Sequence, residues 1–540
     1  MTEYDYIIVG AGSAGCVLGN RLTESGRHRV LILEAGGSDD RFFINMPIGY
    51  GKTFYDPRVN WMYRTEPDPG LDGRIGYWPR GKVLGGSSAI NAMVYIRGQR
   101  TDFDDWAAAG NPGWGWADVL PYFRRMERHA FGADELHGDS GPLSVTDAAR
   151  DMHPLCDVYL EACRQLGIPV VRDLNGARAE CAGLYQITTR NGRRESTATA
   201  YLRPARRRAN LAVATGALAT RVVFEGRRAV GVEYRQDGVL RSARARGEVI
   251  LATGAVNSPQ LLQLSGVGPA ALLARHGIAV VEDRRGVGRN LQDHLGADYL
   301  YRSRRPTLNQ QLRPWWGKLW HGARYVLTRR GPLSLSVNQG GGFVRGRDGL
   351  DRPNLQLYFS PVSYIRAPVG KRPLMSPDPY PGFLIGWSAC RPASRGFIEI
   401  AGPDPLQAPR IHPCSLTAEG DIEDMLDGAR LMRRLAATPA MAAVIHEELK
   451  PGAAVRSDEA MIADIRARCS TVFHPTSTCM MGPDPATAVV DARLRVHGLD
   501  RLRVIDASVF PAVTSGNTNA PAIMVGEKGA DLVLADAPAR

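Results

Sequence analysis

Several things are missing from this 540-residue sequence, and each absence narrows what it can be. It has no run of about 18 apolar residues, so no segment can form a transmembrane helix. Cysteine is scarce, with eight in the whole chain and no C-x-x-C pair, which excludes a disulfide scaffold and leaves reduced, mostly buried thiols. No spacing of His, Cys or carboxylates has the pattern of a metal centre, so no metal site is expected. Internal repeats and low-complexity stretches are also missing. Acidic residues fall short of basic ones, 55 against 67, and the net charge of +12 comes mostly from arginine. A nucleic-acid surface would gather those charges on one face among aromatics. Here they are scattered, and the densest run, Arg206-Arg207-Arg208, follows Pro204 in a turn. No nucleic-acid partner is expected. Glu3 and Asp5 lead at once into an apolar strand and leave no room for a signal peptide, so the expected location is cytoplasmic.

Apolar residues at 44% and charged residues at 23% are ordinary for a globular protein. The length exceeds one ordinary core and calls for two domains or one elaborated domain. The most informative stretch is the first thirty-five residues. Tyr6-Ile7-Ile8-Val9 reads as a buried strand that runs into Gly10-Ala11-Gly12-Ser13-Ala14-Gly15. An apolar-periodic segment follows through Leu22, and a second strand, Val30 to Leu33, ends on Glu34. This is a βαβ unit with a glycine-rich first turn, the fingerprint of dinucleotide binding. Gly10 makes the turn, Gly12 lets the backbone approach a pyrophosphate, and Gly15 lets helix and strand pack closely. Ser13 and Ala14 open the helix, whose free N–H groups favour phosphate. Glu34 can accept hydrogen bonds from a ribose.

Further along, Leu211–Val213, Arg221–Phe224 and Gly231–Tyr234 read as strands, and Glu248 to Gly254 as another strand of the nucleotide sheet. Helical patterns cover Trp116–Arg128, Pro154–Leu166, Asp421–Ala437 and, as an amphipathic helix, Pro521–Leu534. Short strands are expected at Asn354–Tyr358, Gly396–Ile400 and Leu502–Asp506.

Three more motifs specify the nucleotide. Gly81-Lys82-Val83-Leu84-Gly85-Gly86-Ser87-Ser88-Ala89-Ile90-Asn91, with Tyr95, Gly98 and Asp104, resembles the first signature of the glucose–methanol–choline (GMC) oxidoreductases. Gly254-Ala255-Val256-Asn257-Ser258-Pro259 through Gly268 resembles the second. His474-Pro475 and Gly516-Asn517-Thr518-Asn519 resemble the family's catalytic His and His/Asn positions. The resemblance spans essentially the whole chain, in order. It implies an α/β fold, with a Rossmann-like FAD-binding domain in segments 1–150, 206–298 and 479–540. An inserted α+β substrate-binding domain would occupy 151–205 and 299–478.

The resemblance further implies FAD as cofactor, and the presence of a single G-x-G-x-x-G agrees with this. Val83, Gly86, Ser87, Asn91, Ala92, Met93 and Val94 would lie along the flavin, and Val222 would contact the adenine end through its backbone. Asp506, Ala507, Asn517, Thr518 and Asn519 would close on the ribityl and ring side. Ile90 occupies the position where some members carry a His that bonds FAD, so the cofactor is expected to be non-covalent. Thr476-Ser477 and Met480-Met481 depart from the usual Val-Gly or Ala-Gly and Arg-Met pairs. His294, in Asn290-Leu291-Gln292-Asp293-His294, belongs to a recurring family segment and reads as structural.

The implied activity is oxidation of a primary alcohol to an aldehyde by hydride transfer to flavin N5, as in bacterial alkanol, polyethylene-glycol and choline dehydrogenases. An imidazole suits the proton removal this requires, which makes His474 the candidate base. Asn517 would hold the substrate oxygen. The electrons would pass to a quinone or another carrier. Two alternatives stay open: an oxidase using O₂, and a flavin-containing hydroxynitrile lyase. Finally, residues 314–331 combine Trp315, Trp316, Leu319 and Trp320 with Lys318, Arg324, Arg329 and Arg330. This pattern fits either a helix facing the core of the substrate domain or one lying on the inner membrane face.

Overall fold

A computed structural model describes residues 3–365 and 376–537. It contains two seven-stranded sheets. The first is built on β1 (Glu3–Val9) and β2 (Val30–Glu34), joined by α1 (Ser13–Thr23). All of β2 and all of β1 beyond Glu3 are buried, as befits apolar runs in a parallel sheet covered on both faces. Their register pairs Tyr6 with Val30 and Val9 with Leu33. The strand order is Leu211–Thr215, β2, β1, Val239–Leu251, Arg228–Gln236, Ala217–Glu225, with Leu502–Val504 beside Val239–Leu251. Ala217–Glu225 and Arg228–Gln236 form an antiparallel flap on this otherwise parallel sheet.

The second sheet is antiparallel throughout. Its order is Ile445–Lys450, Leu295–Ser303, Gly382–Ala389, Leu355–Ser360, Gly340–Val344, Cys181–Leu184, with Ser470–Thr471 paired to Leu295–Ser303. Leu295–Ser303 crosses the boundary expected at 298/299 and lies wholly in this sheet. The strand alternation decides what each face does. Leu355, Leu357 and Phe359 pack into a core with helices Leu155–Gln165, Glu419–Ala436 and Asp458–Arg468. Tyr358 and Ser360, from the opposite face, line a cavity between the two sheets. Among the described residues no helix is long and apolar enough to cross a membrane.

The C-terminal helix, Asn519–Ala535, forms where an amphipathic helix was expected but is buried on more than one face. Every residue from Ala520 to Ala530 is buried, because the helix is wedged between α1 and Trp116–Met126. Glu527 lies inside this wedge, where Arg21 and Arg125 meet its carboxylate at 2.8 and 2.7 Å. The Tyr201 hydroxyl donates to the same carboxylate at 2.8 Å. Removing one partner of such a buried pair leaves charge uncompensated and costs about 3–5 kcal/mol. Glu527→Leu is therefore expected to lose stability of that order in urea unfolding. A loss within about 0.5 kcal/mol, the usual range for a surface substitution, would contradict this reading.

Candidate active site

The cavity between the sheets has a volume of about 800 Å³ and runs from Glu34, at the end of β2, to His474. Gly10, Gly12, Ser13 and Ala14 line its nucleotide end. Gly12 caps α1 without a side-chain hydrogen bond, so the first-turn N–H groups are left for a ligand. Gly10 has φ +97°, a conformation other residues rarely adopt, and Gly15 sits against the Gly10 carbonyl without lining the cavity. Gly86, at φ +53°, touches Gly12 so closely that a Cβ would come within 2.7 Å of its Cα. Glu34 accepts hydrogen bonds from the N–H groups of Ala11 and Gly36 at 2.9 and 2.8 Å. Burial pushes its carboxyl up to about 7. Each oxygen keeps a second lone pair for a ribose hydroxyl. Ser13 donates to Asn519 at 2.9 Å, joining the two ends of the chain at this point.

Ser87, Asn91, Ala92, Met93, Val94, Asp506, Ala507, Asn517, Thr518 and Asn519 line the same cavity. Asp506 also braces the wall, accepting from Gly254 N–H at 2.8 Å and Ser258 Oγ at 2.6 Å. Two expected residues stand elsewhere. The side chain of Val83 is sealed in a small core with Ile44, Val59, Ala89 and Ile90. Val222 is buried in the main core, and its N–H is taken by Ser265 Oγ at 2.8 Å. Ala217, Leu218 and Ala219, at the start of the same strand, reach the cavity instead. Such a slip of a few residues cannot be seen in a run of small and β-branched side chains.

At the other end His474 is buried and bonded through both ring nitrogens. Its Nδ1 is 2.9 Å from Nδ1 of His294, whose Nε2 is 2.8 Å from the Cys390 carbonyl. A carbonyl only accepts, so Nε2 of His294 carries a hydrogen. Burial holds His294 down to about 4, so at neutral pH its Nδ1 is bare. His474 must then donate from Nδ1 and present a bare Nε2. That nitrogen lies 3.1 Å from Nδ2 of Asn517. The Asn517 amide is oriented in turn by Gln356, which donates to its Oδ1 at 3.2 Å. Burial lowers the His474 imidazole well below its usual value, helped by His294 and by Arg80. At neutral pH it is therefore an unprotonated base.

His294 is thus more than the structural residue expected, and its segment grips the loop that carries His474. Asp293 accepts from the His474 N–H at 2.7 Å, and Gln292 exchanges backbone hydrogen bonds with Thr476. The sequence signal was the density of polar residues at the entrance to an apolar strand. Ser477, at a position where the resemblance implies Gly, has φ +73°, a left-handed conformation costing roughly 1–2 kcal/mol for a residue with a Cβ. Aromatic residues not foreseen as site residues, Tyr50, Phe54, Tyr358 and Phe473, wall the cavity; Phe54 and Phe473 pack edge to face at 5.3 Å. One cluster of metal-ligand type, His129, His137 and Asp173, occurs among the described residues, away from this cavity. There His137 already bonds Asp173 at 2.7 Å and Arg97 at 2.7 Å.

Comparison with known proteins accords with this geometry. The GMC oxidoreductase family matches residues 4–296 and 392–526 in its N- and C-terminal parts. The mitochondrial choline dehydrogenase of Mus musculus is 43% identical over 98% of this chain and 89% of its own length. The alcohol dehydrogenase [acceptor] of Pseudomonas putida is 43% identical over 98% of this chain and 96% of its own. Among solved structures, pyridoxine 4-oxidase from Mesorbium loti superposes with TM-score 0.87 at 32% identity, covering 98% of both chains. Formate oxidase from Aspergillus oryzae RIB40 superposes with TM-score 0.91 at 27% identity, covering 99% of this chain and 98% of the other. A βαβ turn open to phosphate, the two signatures on one cavity and full-length likeness to such proteins lead to one conclusion: this chain belongs to the GMC oxidoreductase family of FAD-dependent enzymes.

Proposed function

We propose that the protein oxidises a primary alcohol to the aldehyde, with His474 as the base. The observation that carries this reading is the bare Nε2 of His474, facing the cavity beside the Asn517 amide. The alcohol hydroxyl replaces the Asn517 N–H as the donor to that nitrogen's one lone pair, and the released amide N–H steadies the alcohol oxygen. Proton removal by such a base contributes roughly 10²–10⁴ in rate. FAD, when bound, supplies the two-electron acceptor. Glu34, the first turn of α1 and the 86–94 loop hold it without a covalent bond, since Ile90 offers no nucleophile.

The electrons pass on to a quinone or another carrier other than O₂, and the enzyme works from the cytoplasm, peripherally on the inner membrane. Oxidases among the similar structures keep O₂ as the second reading. One experiment addresses both. Protein precipitated with acid should release yellow FAD to the supernatant. The native enzyme should then be bleached without oxygen by a panel of alkanols and choline, and reoxidised with a quinone analogue or with O₂. Flavin that stays in the pellet contradicts non-covalent binding. A flavin that no primary alcohol bleaches overturns the activity, and fast reoxidation by O₂ alone selects the oxidase.

A further inference from the structure

The helix Trp315–Thr328 is mounted with its apolar side outward. It rests on the protein through Gly317, His321 and Tyr325, while Trp315, Trp320 and Leu327 are 75%, 65% and 82% exposed. Trp316, Leu319 and Val326 are exposed with them. Of the two sequence readings of this segment, the core-facing one is therefore overturned. The patch also extends beyond the helix. The Tyr325 hydroxyl lies 3.5 Å from the carbonyl of Asn45, at the end of the short helix Phe42–Asn45, whose Phe42 and Phe43 are exposed as well. These two elements hold eight of the thirteen exposed large hydrophobic side chains among the described residues. Soluble monomers rarely gather apolar surface in this way without using it.

Charge identifies what covers the patch. Residues 304–330 carry seven Lys or Arg and no Asp or Glu. One of these, Arg324, is 3.6 Å from Asp151. A two-fold pairing with a second copy would set this basic strip against itself. Tryptophans ringed by cations are suited instead to the headgroup region of an anionic bilayer, where the indole is apolar with one polar edge. The patch also backs onto the cavity. Leu308 and Leu312, just before the helix, pack with Tyr50, Met93 and Val337, and those three line the cavity.

We propose that the helix Trp315–Thr328, with Phe42 and Phe43, docks the protein on an anionic lipid surface and sets one cavity wall against the bilayer. This rests on the reading above only for what the membrane would carry, a hydrophobic alcohol or a quinone. The test is flotation of the holoenzyme with phosphatidylcholine vesicles, with and without phosphatidylglycerol, at low and high salt. Binding is expected only to the anionic vesicles and to weaken about tenfold or more in high salt. The triple variant Trp316→Ser/Trp320→Ser/Leu327→Ser, altered only at exposed positions, should bind roughly 100-fold more weakly. It should keep its flavin spectrum and its reduction by a water-soluble alcohol. Failure to float with anionic vesicles at low salt would overturn the proposal. So would equal binding by the variant, or a dimer in light scattering that the variant dissociates. If vesicle binding holds while no alcohol reduces the flavin, the docking face stands and the proposed activity falls.

Discussion

His474→Ala is expected to keep its FAD and to lose roughly 10²–10⁴ in the rate at which an alcohol reduces it. The substitution removes the bare Nε2 and leaves the nucleotide end of the cavity untouched, since no residue there bonds to the ring. Stopped-flow reduction without oxygen separates the two properties, because flavin content is read before mixing. Asn517→Ala should cost less, since Nε2 of His474 stays bare and the relay through His294 and Cys390 still fixes its tautomer. His294→Phe should fall between the two by freeing the imidazole to turn. A wild-type reduction rate in His474→Ala would end the assignment of this residue as the base.

Gly15→Ala should be far more damaging than the one methyl group it adds would suggest. A Cβ at Gly15 would stand 1.9 Å from the Gly10 carbonyl oxygen, backbone against backbone, where no side chain can swing away. To make room, α1 must lift from the turn that follows β1, and its first N–H groups leave the place where phosphate would sit. Overpacking of this kind costs about 1–3 kcal/mol. Carried into cofactor affinity, that is roughly ten- to a hundredfold. The variant should therefore purify with little yellow colour and melt earlier. Gly420→Ala is the control: it starts a helix with open space around it and should be neutral or slightly stabilising. Full FAD content and an unchanged melting temperature in Gly15→Ala would refute the close-packing argument.

The elements legible in the sequence were those whose cause is local. β1, α1 and β2 follow from two apolar runs, a glycine turn and a helical period, and they form where expected. The signatures around Gly86 and Gly254 were equally readable because tight turns demand glycine. What escaped depends on partners far along the chain. The role of His294 arises 180 residues away, at His474, and Gln356 reaches the site only by standing opposite Asn517. The positions of Val83 and Val222 hinge on which face of a short segment turns inward. The helix Trp315–Thr328 shows a further limit: its periodicity announces an apolar face without saying on which side the protein lies.

The alternation along Leu355–Ser360 has a consequence for how such enzymes diversify. Leu355, Leu357 and Phe359 anchor the helices behind the sheet, while Tyr358 and Ser360 look into the cavity. Durability and selectivity are thus written on interleaved letters of one strand. A lineage can rewrite Tyr358 and Ser360 to accept a different alcohol and leave its foundations undisturbed, while Gln356 on the same face stays to hold Asn517. Directed evolution confined to Tyr358, Ser360 and their counterpart Leu384 on the neighbouring strand should therefore change substrate preference long before it erodes the melting temperature.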